Sequence, residues 1–189
     1  MFTRKSIYQF IKEMLKMRPW KSNEEIEVIF DESQRHRLFF CCEWDSDLPL
    51  CLFIMLNPSL ADMEKCDRTL DKCIKIAKSN SFGSIGVVNL FSLRSKDPED
   101  LLKEELRTHP ENIEYVKRAI DDAKIIVAAW GEKGAWFNAT YPVLKYSEDV
   151  GRDLHYLNLN RYGMPQHPLF LKSDTTLKKY KFRDESLAF

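Results

Sequence analysis

LCLFIML, residues 50–56, is apolar from end to end, with no polar residue at alternate positions. A strand with one wet face alternates, so an unbroken run this short reads as a strand covered on both faces. Downstream the period changes. Leu70, Cys73, Ile74 and Ala77 follow helical spacing, with Asp67 placed as an N-cap. SIGVVNLF (84–91) is a second buried strand, and Asp97-Pro98 opens a short helix. Thr108 and Glu111 have capping-box spacing ahead of Ile113, Val116 and Ile120. IIVAAW (125–130) is a third buried strand, followed by Gly131 and a helix to about Tyr146. LHYLNLN (154–160) is a fourth, more alternating strand. Upstream, residues 26–31 and 36–44 read as a β-hairpin, and 3–17 as an amphipathic helix. Buried strands alternating with helices predict an α/β fold, a three-layer αβα arrangement around a mostly parallel sheet of about four strands. No repeat or linker divides residues 1–189, so a single domain is expected.

Composition narrows the function. The 189 residues carry 29 basic and 29 acidic side chains, so nothing pulls the whole chain toward nucleic acid. Hydrophobic residues make up 44%, as in a folded globular domain. All six glycines lie at or after Gly83, with neither GxGxxG nor GxxxxGK[ST], which excludes dinucleotide and P-loop cradles. The five cysteines (41, 42, 51, 66 and 73) include an adjacent pair and no CxxC. That pattern suits neither a disulfide framework nor a zinc site, and no metal or cofactor is expected. The longest apolar run, LPLCLFIML, is far shorter than the roughly 20 residues of a membrane helix. The N-terminal stretch is interrupted by Lys12 and Glu13 and does not read as a signal peptide. A cytoplasmic monomer with no membrane partner is expected.

In parallel sheets ligands sit outside the carboxyl ends of the strands. Strand 50–56 runs into Asn57-Pro58-Ser59, and strand 84–91 carries Asn89 and Phe91, followed by Arg94. Strand 125–130 ends in Trp130-Gly131, and strand 154–160 leads to His167-Pro168-Leu169. Each cluster has an ordinary structural explanation as a turn or cap. Their common edge is the argument for a site. A buried asparagine at position 89 also needs partners for two donors and an acceptor.

The runs MLNPSLADMEKCDRTLDKCI, GVVNLFSLRSKDP, AAWGEKG and NRYGMPQHPLFL resemble a bacterial and phage domain family without assigned function. More distantly, the same four signatures resemble the uracil-DNA glycosylase superfamily. LNPS stands where mismatch-type members carry an Asn-Pro loop. VVN places Asn89 where that superfamily reads the base edge, Trp130-Gly131 matches its WG pair, and His167-Pro168 its closing HP loop. The resemblance implies a uracil-DNA glycosylase-like fold and a DNA partner whose flipped base enters the pocket. Asn57 would then hold the water, Asn89 read the base and His167 stabilise the departing base anion. Phe91 or Trp130 would stack on the base, with Pro58, Ser59, Arg94, Gly131, Pro168 and Leu169 lining the site. The first loop lacks the aspartate of the classical enzymes, which makes Asp62 the candidate second carboxylate. HPL replaces HPS, and no iron–sulfur cysteine set is present. The implied activity is hydrolysis of the N-glycosidic bond of a damaged or modified base, a hypermodified phage base included, in antiphage defence. The alternatives are an enzyme acting on free nucleotides or nucleosides, and a non-catalytic binder of modified bases. Arg4, Lys5, Lys12, Lys16, Arg18 and Lys21, KKYKFR (178–183), and Arg94 with Lys96 are the local positive patches available to DNA.

Overall fold

A computed structural model describes residues 17–59 and 65–180. The helix expected at 3–17, apart from its last residue, and the candidate Asp62 lie outside the described residues.

The chain forms an α/β fold around a mixed seven-stranded sheet. Its strands are β2 (Glu25–Phe30), β3 (Arg37–Glu43), β4 (Leu50–Met55), β6 (Ser84–Asn89), β7 (Ile125–Ala128), β8 (Leu154–Tyr156) and β9 (Lys178–Lys179). A separate small pair joins β1 (Arg18–Pro19) to β5 (Lys65–Cys66). The order across the large sheet is β2-β3-β6-β4-β7-β8-β9. The four strands read as buried, β6, β4, β7 and β8, are parallel to one another. The sheet is nevertheless larger and more mixed than the expected four. The β2–β3 hairpin adds two antiparallel strands to one side, and β9 pairs antiparallel with β8 on the other. The hairpin is the one the sequence predicts; its pairing with β6 and the two-residue β9 leave no apolar signal of their own.

β4 is flanked by β6 and β7, and Cys51 to Ile54 are at most 1% exposed, as its unbroken apolar run requires. From β4 the chain passes through helix α1 (Arg68–Ser79) to β6 on one side. It then returns through α2 (Asp100–Lys103) and α3 (Asn112–Asp122) to β7 on the other. Right-handed crossovers in opposite directions place their helices on opposite faces. Accordingly Leu70, Cys73, Ile74 and Ala77 of α1 pack on Cys51, Phe53 and Met55. Val116 and Ile120 of α3, with Val143 and Leu144 of α4 (Tyr141–Asp149), pack on Leu52 and Ile54. The reversal of direction makes a switch point between the carboxyl ends of β4 and β7, where such sheets bind ligands.

Asp67 caps α1 as its position predicts, its carboxylate accepting the Leu70 N–H at 2.8 Å. Three local expectations change. α3 begins at Asn112 without a side-chain cap, so Thr108 does not act as one. The segment after Gly131 is a kinked 3-10 stretch, Glu132–Asn138, before α4 starts. The fourth strand ends at Tyr156, leaving residues 157–167 as the loop that carries His167.

Candidate functional site

Arg37 opens β3. Because β3 runs antiparallel to β6, its first residue lies at the rim where the parallel strands end. The Arg37 N–H donates to Ser92 O at 3.0 Å, beyond the last residue of β6. Its guanidinium is buried at 2% exposure and lines a cavity of about 50 Å³ with Met55, Asn57, Ser59, Asp67, Thr69, Leu70 and His167. Three separate segments therefore meet at the end of β4: the 57–59 loop, the start of α1 and the final loop.

The polar groups around this cavity are held in fixed states. Asn57 Nδ2 donates to Ser95 O at 3.0 Å and to Pro58 O at 3.2 Å, leaving Oδ1 without a partner among the described residues. The Ser59 hydroxyl donates to the Asp67 carboxylate. His167 Nδ1 accepts the Leu169 N–H at 3.3 Å, so the neutral ring carries its proton on Nε2. Burial pushes His167 below its ordinary value, against the charge of Asp67, and favours that neutral ring.

Arg37 is the unusual member. Nη2 donates to Asn89 Oδ1 at 3.4 Å, while Nε and Nη1 have no partner among the described residues. Burial brings its pKa down to about 10, with Asp67 opposing the fall, so it stays charged at neutral pH. Asn89 is 1% exposed, and its Nδ2 is likewise unpartnered. Its register partner on β4 is Met55, which places the Asn89 side chain on the same sheet face as the cavity, behind Arg37. A buried cation without a carboxylate partner is costly unless something accepts its hydrogen bonds.

The structure thus gathers Asn57, Ser59 and His167 around one cavity, with Asn89 reached through Arg37. Pro58 is buried in the same loop, and Pro168 and Leu169 follow His167 in a short 3-10 turn. Gly131, at φ +73°, donates its N–H to Pro165 O and so ties the end of β7 to the His167 loop. Phe91, Trp130 and Arg94 lie elsewhere. Phe91 and Trp130 pack on the α3–α4 face, and a Cβ at Gly134 would stand 2.1 Å from the Trp130 ring. The WGxxG spacing therefore accommodates the indole. Arg94 lies over the Phe30 ring and donates to Gln34 O, outside this cavity. Arg18 of the N-terminal basic cluster is engaged by Glu24 and Asp71 at 2.8 and 2.6 Å, which ties β1 to α1. Sequence reasoning missed Arg37, Met55, Thr69 and Leu70 as site residues and read Asp67 as a helix cap. The one available signal was an arginine directly ahead of the apolar run LFFCC in β3.

Among the described residues no group of three or more His, Cys, Asp or Glu could hold a metal ion. The cysteines are free, and burial raises Cys41 and Cys42 to about 11 and 12, which leaves them as thiols. No helix among the described residues is long and apolar enough to cross a membrane.

Residues 35–169 match the model of the family described as a protein of unknown function, DUF1643. The chain belongs to that family. All eight residues lining the cavity, and Asn89 behind them, fall inside the DUF1643 region. None of the curated proteins matches the chain. Among solved structures, hetero-hexameric glutamate dehydrogenase from Thermus thermophilus in its leucine-bound form aligns with 78% of this chain, at 13% identity and TM-score 0.32. The alignment spans 38% of that enzyme's chain.

Proposed function

We propose that this chain is a DNA N-glycosylase acting on a damaged or modified base flipped into the β4-end cavity, on a three-layer fold like that of the uracil-DNA glycosylases. The observation that carries the reading is the buried Arg37 guanidinium, with Nε and Nη1 unpartnered, lining one small cavity with Asn57 and His167. Breaking a glycosidic bond sends the bonding electron pair onto the leaving base, so fixed donors aimed at that base lower the barrier. Arg37 and the Nε2–H of His167 are such donors. Opposite them, Asn57 Oδ1 and the Asp67 carboxylate are acceptors able to orient a water toward the sugar carbon. That water forms the new C–O bond and loses its proton to an acceptor or solvent, and the departing base gains one.

The test incubates the protein with duplexes carrying uracil, mismatches or phage-type modified bases, then with alkali. Strand breaks at the marked position, abolished in Asn57→Ala and reduced at least about 100-fold in His167→Ala, are expected. Their absence on every substrate would overturn the glycosylase reading. Selective binding without breaks would favour the non-catalytic binder.

A further inference from the structure

The opposite face of the sheet holds a second, larger cavity that the proposed chemistry does not use. It measures about 300 Å³ and lies where β6 ends, between α3 and α4. Its walls are mainly apolar, supplied by Phe91, Ile113, Val116, Phe137, Pro142 and Val143. We infer that this cavity is a second binding site, for a flat heteroaromatic ring bearing an amino group, an amino-substituted purine or pyrimidine.

Three features point to that chemistry. The first is aromatic and planar. Phe137 meets Phe91 edge-on at 6.0 Å, and the Arg107 guanidinium lies 3.9 Å from the centre of the Phe137 ring. Arg107 is held there by hydrogen bonds from Nε and Nη2 to Leu101 O and Glu104 O. Flat side chains at the edge of an apolar slot favour a flat ligand.

The second feature is a buried acceptor. Asn112 is 2% exposed and lines the cavity. Its Nδ2 donates to Asn89 O at 3.0 Å, which fixes the amide, while Oδ1 has no partner among the described residues. A buried carbonyl of this kind selects a ligand N–H, and a ring lacking one leaves it unpaired.

The third is backbone strain. Phe137 and Asn138 are consecutive non-glycine residues at φ +53° and +54°. That conformation is unfavourable for an L residue, and it carries Phe137 to the cavity mouth, where its ring packs on Phe91 and Arg107 yet stays 53% exposed. Asn89 joins the two sites. Its side chain meets Arg37 on one face and its carbonyl meets Asn112 on the other.

The decisive probe pair is adenosine and purine riboside, which differ only by the exocyclic amino group. Titration of the full chain, followed by calorimetry and thermal shift, is expected to show adenosine binding at least about 10-fold tighter. Phe137→Ala should weaken adenosine by about 10-fold or more while leaving the fold intact, since that side chain is half exposed. Asn112→Leu should erase the preference between the two probes. His167→Ala, on the other sheet face, should leave adenosine affinity unchanged whether or not it abolishes base excision, so the two proposals fail independently. Equal binding of the two probes would overturn the inference. So would no binding of either, loss of binding in His167→Ala, or unaltered binding in Phe137→Ala.

Discussion

Arg37 combines deep burial with an incomplete set of hydrogen bonds. Two of its nitrogens are buried without partners, so the folded state bears a desolvation cost that the Asn89 hydrogen bond and the Phe40 ring offset only in part. Arg37→Met keeps volume and removes the charge. It is expected to raise stability by about 1–4 kcal/mol, which for a chain of this size lifts the melting temperature by roughly 2–4 °C per kcal/mol. Base excision should fall at the same time. A melting curve and the alkali assay on one preparation check both, and a destabilised variant would mean that Arg37 is structural. His167 gives the complementary pH test. Burial holds it below the ordinary 6.5, with Asp67 opposing, and burial lowers His36 as well. As pH drops below about 6.5 the unfolded chain takes up these protons before the native one does. Stability is therefore intact above that value and declines through the window between 6.5 and the lowered native values. Urea midpoints from pH 7 to 5 should fall less steeply in His167→Gln, with the His36 share remaining.

At the scale of elements, the parallel block was readable because burial on both faces removes alternation, and β4, β6 and β7 show that pattern. The helix α1 was readable from spacing and from its aspartate cap. What escaped notice depended on direction and on where strands stop. Reading only the carboxyl ends of strands finds Asn57, Asn89 and His167, but an antiparallel strand brings its first residue to the same rim, and Arg37 arrives that way. Phe91 would share a face with Asn89 if β6 ran to residue 91. The strand stops at Asn89, and Leu90 and Phe91 both turn to the α3–α4 face. Asp67 holds two positions at once, as the cap of α1 and as a wall of the cavity. The two can be separated by substitution. Asp67→Ala should cost about 1 kcal/mol through the lost cap, whereas Asp67→Asn keeps a capping oxygen and most of that stability. If the carboxylate orients the attacking water, Asp67→Asn still loses activity while melting near the wild-type temperature. Equal activity of Asn and wild type would confine Asp67 to capping.

At the scale of the whole molecule, the proposed activity requires a chain of zero net charge to hold DNA. Arg18, drawn into ion pairs with Glu24 and Asp71, and Arg94, stacked on Phe30, contribute little to an open positive surface. The loop bearing His167 offers a different kind of contact. Phe170 is 72% exposed with its ring 6.0 Å from that of His167, and Tyr162 is 61% exposed in the same loop. Exposed aromatic side chains on the loop that walls the cavity suit insertion into a stack, where contact is apolar and nearly independent of salt. Arg161 within the loop and Lys172 after it supply the nearby charge. Each phosphate neutralised adds about −0.9 to the slope of log affinity against log salt. Two such contacts predict a slope of about −2 for duplex DNA, shallow for a DNA-binding domain. Lys172→Ala should reduce it by about 1, and Phe170→Ala should weaken duplex binding at every salt concentration without changing the slope. Fluorescence anisotropy between 50 and 300 mM salt separates the two effects. A steep slope that survives Lys172→Ala would place the DNA on another face of the molecule.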